Sequence, residues 1–136
     1  MLTGRCYCGS TVLTATEAPV TAAYCHCSDC RRWTGAPVAA FAAFPADTVT
    51  LSPPRPESAA AEGVRRWVCP DCGSPLLARF DYLPGQVYVP IGILDEPEKV
   101  PPLLHSHADR CIAWLEIDDD LPRHTASARD ALLDGS

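Results

Sequence analysis

The chain has no basic surplus and no long apolar run, and helix breakers interrupt most of it. Its 136 residues carry 11 lysines and arginines against 17 aspartates and glutamates, a formal charge of −6. Proteins that bind nucleic acid use clustered positive charge to displace counterions from phosphate. Here the only adjacent basic pairs are Arg31-Arg32 and Arg65-Arg66, so no nucleic-acid partner is expected. The longest apolar stretch, Pro37 to Pro45, falls far short of the roughly 20 residues that a bilayer-spanning helix needs, so no membrane association is expected either. Nothing ahead of Cys6 has the basic start and apolar centre of a secretion signal, and the expectation is a soluble cytoplasmic protein.

Long helices are disfavoured for a related reason. Fourteen prolines and eight glycines are scattered through the chain and break it into short segments. With 47% hydrophobic residues the chain can still bury a core, and it reads as one mainly β domain over residues 1–136. Strand content is expected over Thr11–Thr16, Val38–Phe44, Asp47–Leu51, Val64–Val68, Leu76–Phe80 and Gln86–Leu94. Ile112–Ile117 reads as a last core-like segment, Ser52–Gly63 as a loop or flap, and the residues after Arg123 as a short helix or tail. Nothing in the chain points to an oligomeric state.

What the sequence does have is cysteine. Seven of its eight cysteines form three tight clusters: Cys6-Tyr-Cys8, Cys25-His-Cys27-Ser-Asp-Cys30 and Cys69-Pro-Asp-Cys72. Such short spacing is poor geometry for a structural disulfide and good geometry for gripping one metal ion from a single turn. Each outer pair is followed by Gly-Ser, at Gly9-Ser10 and Gly73-Ser74, and a glycine there tolerates the positive φ of a zinc knuckle. The two pairs together make a closed set of four thiolates, expected to hold a structural zinc, with a redox dithiol as the rival reading.

The middle triplet, Cys25, Cys27 and Cys30, leaves a tetrahedral ion one ligand short. Either the fourth position is open to a substrate, or a distant residue closes it, with His105, His107 and Cys111 as candidates. His26 cannot easily ligate the same ion as its neighbours, which leaves it a surface residue or a support for the ligands. Two zinc ions would bring the net charge to roughly −9.

The pattern Gly4-x-Cys6-x-Cys8-Gly9, Cys25-His-Cys27-x-x-Cys30-Arg31, Gly35-x-Pro37 and Cys69-x-x-Cys72-Gly73-Ser74 resembles the glutathione-dependent formaldehyde-activating family, in the same superfamily as the centromere protein V group. Trp114-Leu-Glu-Ile117 and Asp119-Asp-Leu-Pro122 resemble the family's closing motif. The resemblance implies a β-tent, small antiparallel sheets clamped by zinc. It also implies a structural zinc on Cys6, Cys8, Cys69 and Cys72, and a second, exchangeable zinc on Cys25, Cys27 and Cys30.

The activity implied is that of a carbon-sulfur lyase resembling S-hydroxymethylglutathione synthase, joining glutathione or another low-molecular-weight thiol to formaldehyde or a related small molecule. On that reading Cys25, Cys27 and Cys30 carry the catalytic zinc. Arg31 or Arg32 could pair with a substrate carboxylate, and His26 could shuttle a proton. The contrasting expectations are that the Arg pair merely screens the thiolates and that Trp33 packs in the core. Two non-lyase alternatives stand beside the enzyme: a non-catalytic zinc-binding or protein-interaction module, and a redox switch that exchanges metal for a disulfide.

Overall fold

The computed structural model describes residues 1–135; Ser136, the last residue of the expected 1–136 domain, lies outside the described residues. Ten short strands and two short helices follow the scattered breakers. They are β1 (Leu2–Arg5), β2 (Val12–Ala15), β3 (Thr21–Cys25), α1 (Ser28–Thr34), β4 (Ala39–Pro45), β5 (Val49–Ser52), β6 (Ala59–Ala61), β7 (Val64–Val68), β8 (Pro75–Phe80), β9 (Gln86–Pro90), β10 (His105–Ser106) and α2 (Arg129–Asp134). Among the described residues no helix is long and apolar enough to cross a membrane.

The strands form two sheets, and the mainly β expectation holds. The smaller has the order β1-β2-β5, and the larger the order β10-β3-β4-β9-β8-β7-β6. Every pairing is antiparallel except β10 with β3. Strands β4 and β9 are central, and apart from Gln86 their sequences AAFAAFP and QVYVP show the apolar character of strands covered on both faces.

Side chains alternate between the faces, so each strand contributes to two cores. On one face Ala42 and Phe44 of β4 meet Val87 and Val89 of β9, with Leu13 and Ala15 of the small sheet packed over them. On the other face Phe41, Ala43 and Tyr88 gather with Ala23, Leu83 and Leu132. The small residues of β4 let both layers approach closely. Fully burying a side chain such as Phe44 contributes about 2–3 kcal/mol.

Two readings of the sequence need correction. Ile112–Ile117 is neither a strand nor core: it has no regular structure beyond a turn, and Trp114 is 70% exposed. Its apolar letters match strand composition, but no neighbouring strand is there to pair with them. The Ser52–Gly63 stretch is also more than a loop. It contains β6, which pairs with β7, and Arg55, which is tied down as described below. In addition β1 was not anticipated, because its four residues carry only one strongly apolar side chain.

Candidate metal centres

The first centre joins the two sheets. Cys6 and Cys8 follow β1, and Cys69 and Cys72 cap the β7-β8 hairpin. The four sulfurs lie within 4.8 Å of one another. Cys6 and Cys8 are 3.6 Å apart, and Cys8 is 4.0 Å from Cys69, which lies 61 positions further along the chain. A tetrahedral ion with zinc-sulfur bonds of 2.3 Å separates its sulfurs by about 3.8 Å, whereas a disulfide needs about 2.05 Å. The spacing fits a metal and not a disulfide.

Both knuckles are built alike. Gly9 donates its N–H to the Cys6 carbonyl and Gly73 donates to that of Cys69, each at positive φ, 82° and 78°. A side chain at either position would be strained. Hydroxyls then surround the sulfurs: Ser10 Oγ is 3.1 Å from Cys8 and 3.3 Å from Cys69, the Thr11 hydroxyl donates to Cys69 at 3.5 Å, and Ser74 Oγ lies 3.3 Å from Cys72. The Ser10 and Thr11 hydroxyls draw the Cys69 thiol down to about 5, and Ser74 draws Cys72 down to about 7. The Ser10 and Thr11 hydroxyls favour thiolate at Cys69, the form that binds metal.

Arg55, unremarked in the sequence, latches this centre. Its Nε donates to the Thr11 hydroxyl at 2.8 Å, and its Nη2 reaches Ser10 Oγ at 3.3 Å and the Asp71 carboxylate at 3.4 Å. One guanidinium thus bridges both knuckles.

The second centre sits where β3 runs into α1. The sulfurs of Cys25, Cys27 and Cys30 lie within 4.8 Å of one another. The Cys25 thiol donates to Cys27 at 3.4 Å, and Cys27 caps the helix by accepting the Cys30 N–H, also at 3.4 Å. Cys25 holds the Cys27 thiol down while both Cys25 and Cys30 are pushed up, chiefly by their hydrogen bonds with Cys27 and Cys25 respectively. A bound cation would favour the thiolate form of all three.

No fourth donor joins this group among the described residues. His105 is committed elsewhere: its Nδ1 is 2.8 Å from His26 Nε2, and its Nε2 is 2.9 Å from the Asp119 carboxylate. Cys111 is exposed and donates to the Ile112 and Leu115 carbonyls. His107 lines the cavity beside the sulfurs in a left-handed conformation, φ 52°, without belonging to the mutually close set.

Strand alternation explains His26. Cys25 and Cys27 face one side and His26 the other, where it is 2% exposed and stacks on His105, ring centroids 5.1 Å apart. The surface position considered for it is therefore wrong. Asp119 can only accept, so His105 donates through Nε2 and accepts at Nδ1 from His26 Nε2–H. Burial is the larger cause that holds the His26 pKa down. Asp119 is itself held by Arg123 at 2.9 Å. This buried polar chain braces the Cys25-His26-Cys27 turn from behind.

In front of the sulfurs lies a cavity of about 390 Å³. All three cysteines line it, with Phe41, Phe80, Tyr82 and Tyr88 forming most of an aromatic wall. Of the proposed substrate-binding residues, neither Arg31, Arg32 nor His26 is among its lining. Arg32 is exposed, and Arg31 is half-buried with its Nε unpartnered. Trp33 does pack against the core, stacked on Phe41 with centroids 6.3 Å apart. The buried Arg66 guanidinium lies 4.5 Å from the Trp33 ring centre and 5.4 Å from that of Phe80.

Comparison with known proteins agrees with the cysteine pattern. A crystal structure of a Rhodobacter sphaeroides protein shares the fold, with a TM-score of 0.55 and 22% identity over 68% of this chain and 87% of that one. A comparison with curated proteins gives no match. The model of the glutathione-dependent formaldehyde-activating enzyme family matches residues 1–110, which takes in all seven clustered cysteines and stops short of the Trp114–Pro122 motif. The chain belongs to the glutathione-dependent formaldehyde-activating enzyme family.

Proposed function

We propose that the chain is a zinc-dependent enzyme that forms or cleaves the carbon-sulfur bond of an adduct between a low-molecular-weight thiol, such as glutathione, and formaldehyde or a related small aldehyde. The observation that carries this reading is the contrast in ligand number and access. The four-sulfur set is complete and lined with hydroxyls, whereas the three-sulfur set opens on a cavity. Cys6, Cys8, Cys69 and Cys72 would hold a structural zinc, and Cys25, Cys27 and Cys30 a second one. The second ion, when bound, supplies a position at which a thiol is favoured as thiolate near neutral pH.

The chain's own residues arrange the rest. In the forward direction sulfur adds to the carbonyl carbon, the carbonyl π pair moves onto oxygen, and that oxygen takes a proton. The reverse reaction returns the pair and expels the thiol. Tyr82 lines the cavity while remaining partly exposed, and its phenol, pushed up by desolvation and the nearby cysteines, can donate to the developing hydroxyl. Tyr88 is less free, because its hydroxyl donates to Gln86. The aromatic walls exclude water that would compete for the aldehyde. Arg31 and Arg32, outside the cavity, balance the charge of an anionic centre.

X-ray absorption at the zinc edge tests the reading, using a Cys72-intact protein that retains both ions. Adding thiol is expected to convert the second zinc from three sulfurs plus one lighter atom to four sulfurs. A shell that no thiol alters, completed by a protein donor, would instead support the non-catalytic zinc module.

A further inference from the structure

The cavity over Cys25, Cys27 and Cys30 has a chemical character at odds with a peptide dicarboxylate. Its walls are the rings of Phe41, Phe80, Tyr82 and Tyr88 and the side chains of Leu83 and Leu132. No lysine or arginine lines it, and its ionisable residues other than the cysteines and tyrosines are Asp29 and His107. Asp29 is acidic and would repel a carboxylate.

The nearest buried cation on that side of the sheet is withheld. Arg66 and Ala78 are register partners, as are Val64 and Phe80, so Arg66 shares the sheet face that carries Phe80. Yet its guanidinium is covered by the Trp33 and Phe80 rings and does not reach the cavity lining. Glutathione carries two carboxylates and an ammonium, and burying an unpaired carboxylate costs several kcal/mol. Size argues in the same direction. About 390 Å³ is room for a small organic ligand, while the single carbon of formaldehyde would leave most of it empty.

We propose that this cavity receives an uncharged aromatic or branched alkyl group carried on the sulfur adduct, and that the charged ends of a glutathione-like thiol stay outside it. The inference rests on the reading of the three-sulfur centre as a site for thiol adducts. The apolar group can arrive on the thiol or on the aldehyde, and the two sources are separable.

Isothermal titration of the zinc-loaded protein with benzyl mercaptan, 3-mercaptopropionate and glutathione tests the first source. Benzyl mercaptan is expected to bind at least about tenfold more tightly than either carboxylate-bearing thiol. For the second source, benzaldehyde should tighten glutathione binding at least about tenfold more than formaldehyde does. Success in either arm supports the proposal and identifies the source; failure in both overturns it.

Val64→Arg, which sets a guanidinium on the cavity wall, should narrow the gap between benzyl mercaptan and 3-mercaptopropionate. The wild-type titrations decide the matter if that variant does not fold. The visible spectrum of cobalt-substituted protein separates this inference from the reading beneath it. If no thiol changes the spectrum, the carbon-sulfur reading falls. Benzyl alcohol, which lacks sulfur, then decides the cavity: shifts in the Phe80 and Tyr88 ring resonances keep the apolar assignment, and unshifted rings overturn it.

Discussion

The two cysteine centres differ in where their support comes from. At the four-sulfur centre, hydroxyls and backbone N–H groups reach the sulfurs themselves, through Ser10, Thr11 and Ser74. At the three-sulfur centre a single backbone N–H, that of Cys30, reaches a sulfur, and the remaining support stands one residue back: His26, His105 and Asp119 hold the turn that carries the ligands, and the front is left to an apolar cavity. Donors packed around sulfur fix a closed, inert site. Support from behind keeps ligands in place while leaving their metal accessible. On the proposed reading, the same residue type yields a clamp in one place and a reaction surface in the other.

Breaking each centre in turn gives the largest expected effect. The four-sulfur set ties the β1-β2-β5 sheet to the β7-β8 hairpin, and a structural zinc contributes on the order of 10 kcal/mol to such a fold. Cys72→Ser is expected to abolish cooperative thermal unfolding or to lower the midpoint by more than about 15 °C. Cys27→Ser should keep its midpoint within about 5 °C of the parent and bind one zinc where the parent binds two. Calorimetry with metal analysis measures both. Equal losses from the two variants would erase the distinction between clamp and reaction surface.

A subtler break goes through the brace. His105 is 1% exposed and makes hydrogen bonds with both ring nitrogens, so His105→Phe keeps a ring there but leaves the buried His26 Nε2 without its partner. Losing such a buried partner costs about 2–3 kcal/mol. The zinc of the three-sulfur centre should then be lost to a chelator at least several-fold faster, with the four-sulfur zinc released at its former rate. Stability lost without faster release would make this chain a piece of core, unconnected with the centre.

How far the sequence carried this picture follows from the range of each interaction. The knuckles were legible because Cys-Pro-Asp-Cys-Gly and Cys-Tyr-Cys-Gly contain their own turn chemistry. The β7-β8 hairpin was legible for the same reason, since Cys69–Cys72 sits at its tip. His26 was misread as a possible surface residue because its partner His105 lies 79 positions away, and the Asp119 that holds His105 lies further still. Arg55 went unremarked because it sits in a Pro- and Ala-rich stretch that reads as a loop, and only the fold brings Ser10, Thr11 and Asp71 around it. Arg31 and Arg32 are the opposite case: adjacency to Cys30 suggests a role at the substrate, and neither is among the residues that line the cavity. Ile112–Ile117 failed for want of a pairing strand, which composition does not reveal.

Arg55→Ala sharpens the comparison with the smallest expected effect. The guanidinium is mostly buried, 15% exposed, while its Asp71 partner is 59% exposed, so the ion pair itself is screened and contributes little. The hydrogen bonds to Thr11 and Ser10 are the larger part, and their loss is expected to cost about 1 kcal/mol. A four-thiolate zinc carries a net charge of −2, and this cation beside it also opposes loss of the ligands' thiolate form. Chelator-driven release from the four-sulfur centre should therefore quicken a few-fold and show a weaker dependence on salt than in the parent. Release from the three-sulfur centre should not change, because Arg55 touches none of its residues. A change at both centres would mean that the two are coupled through the sheet between them, and that the clamp also tunes the reaction surface.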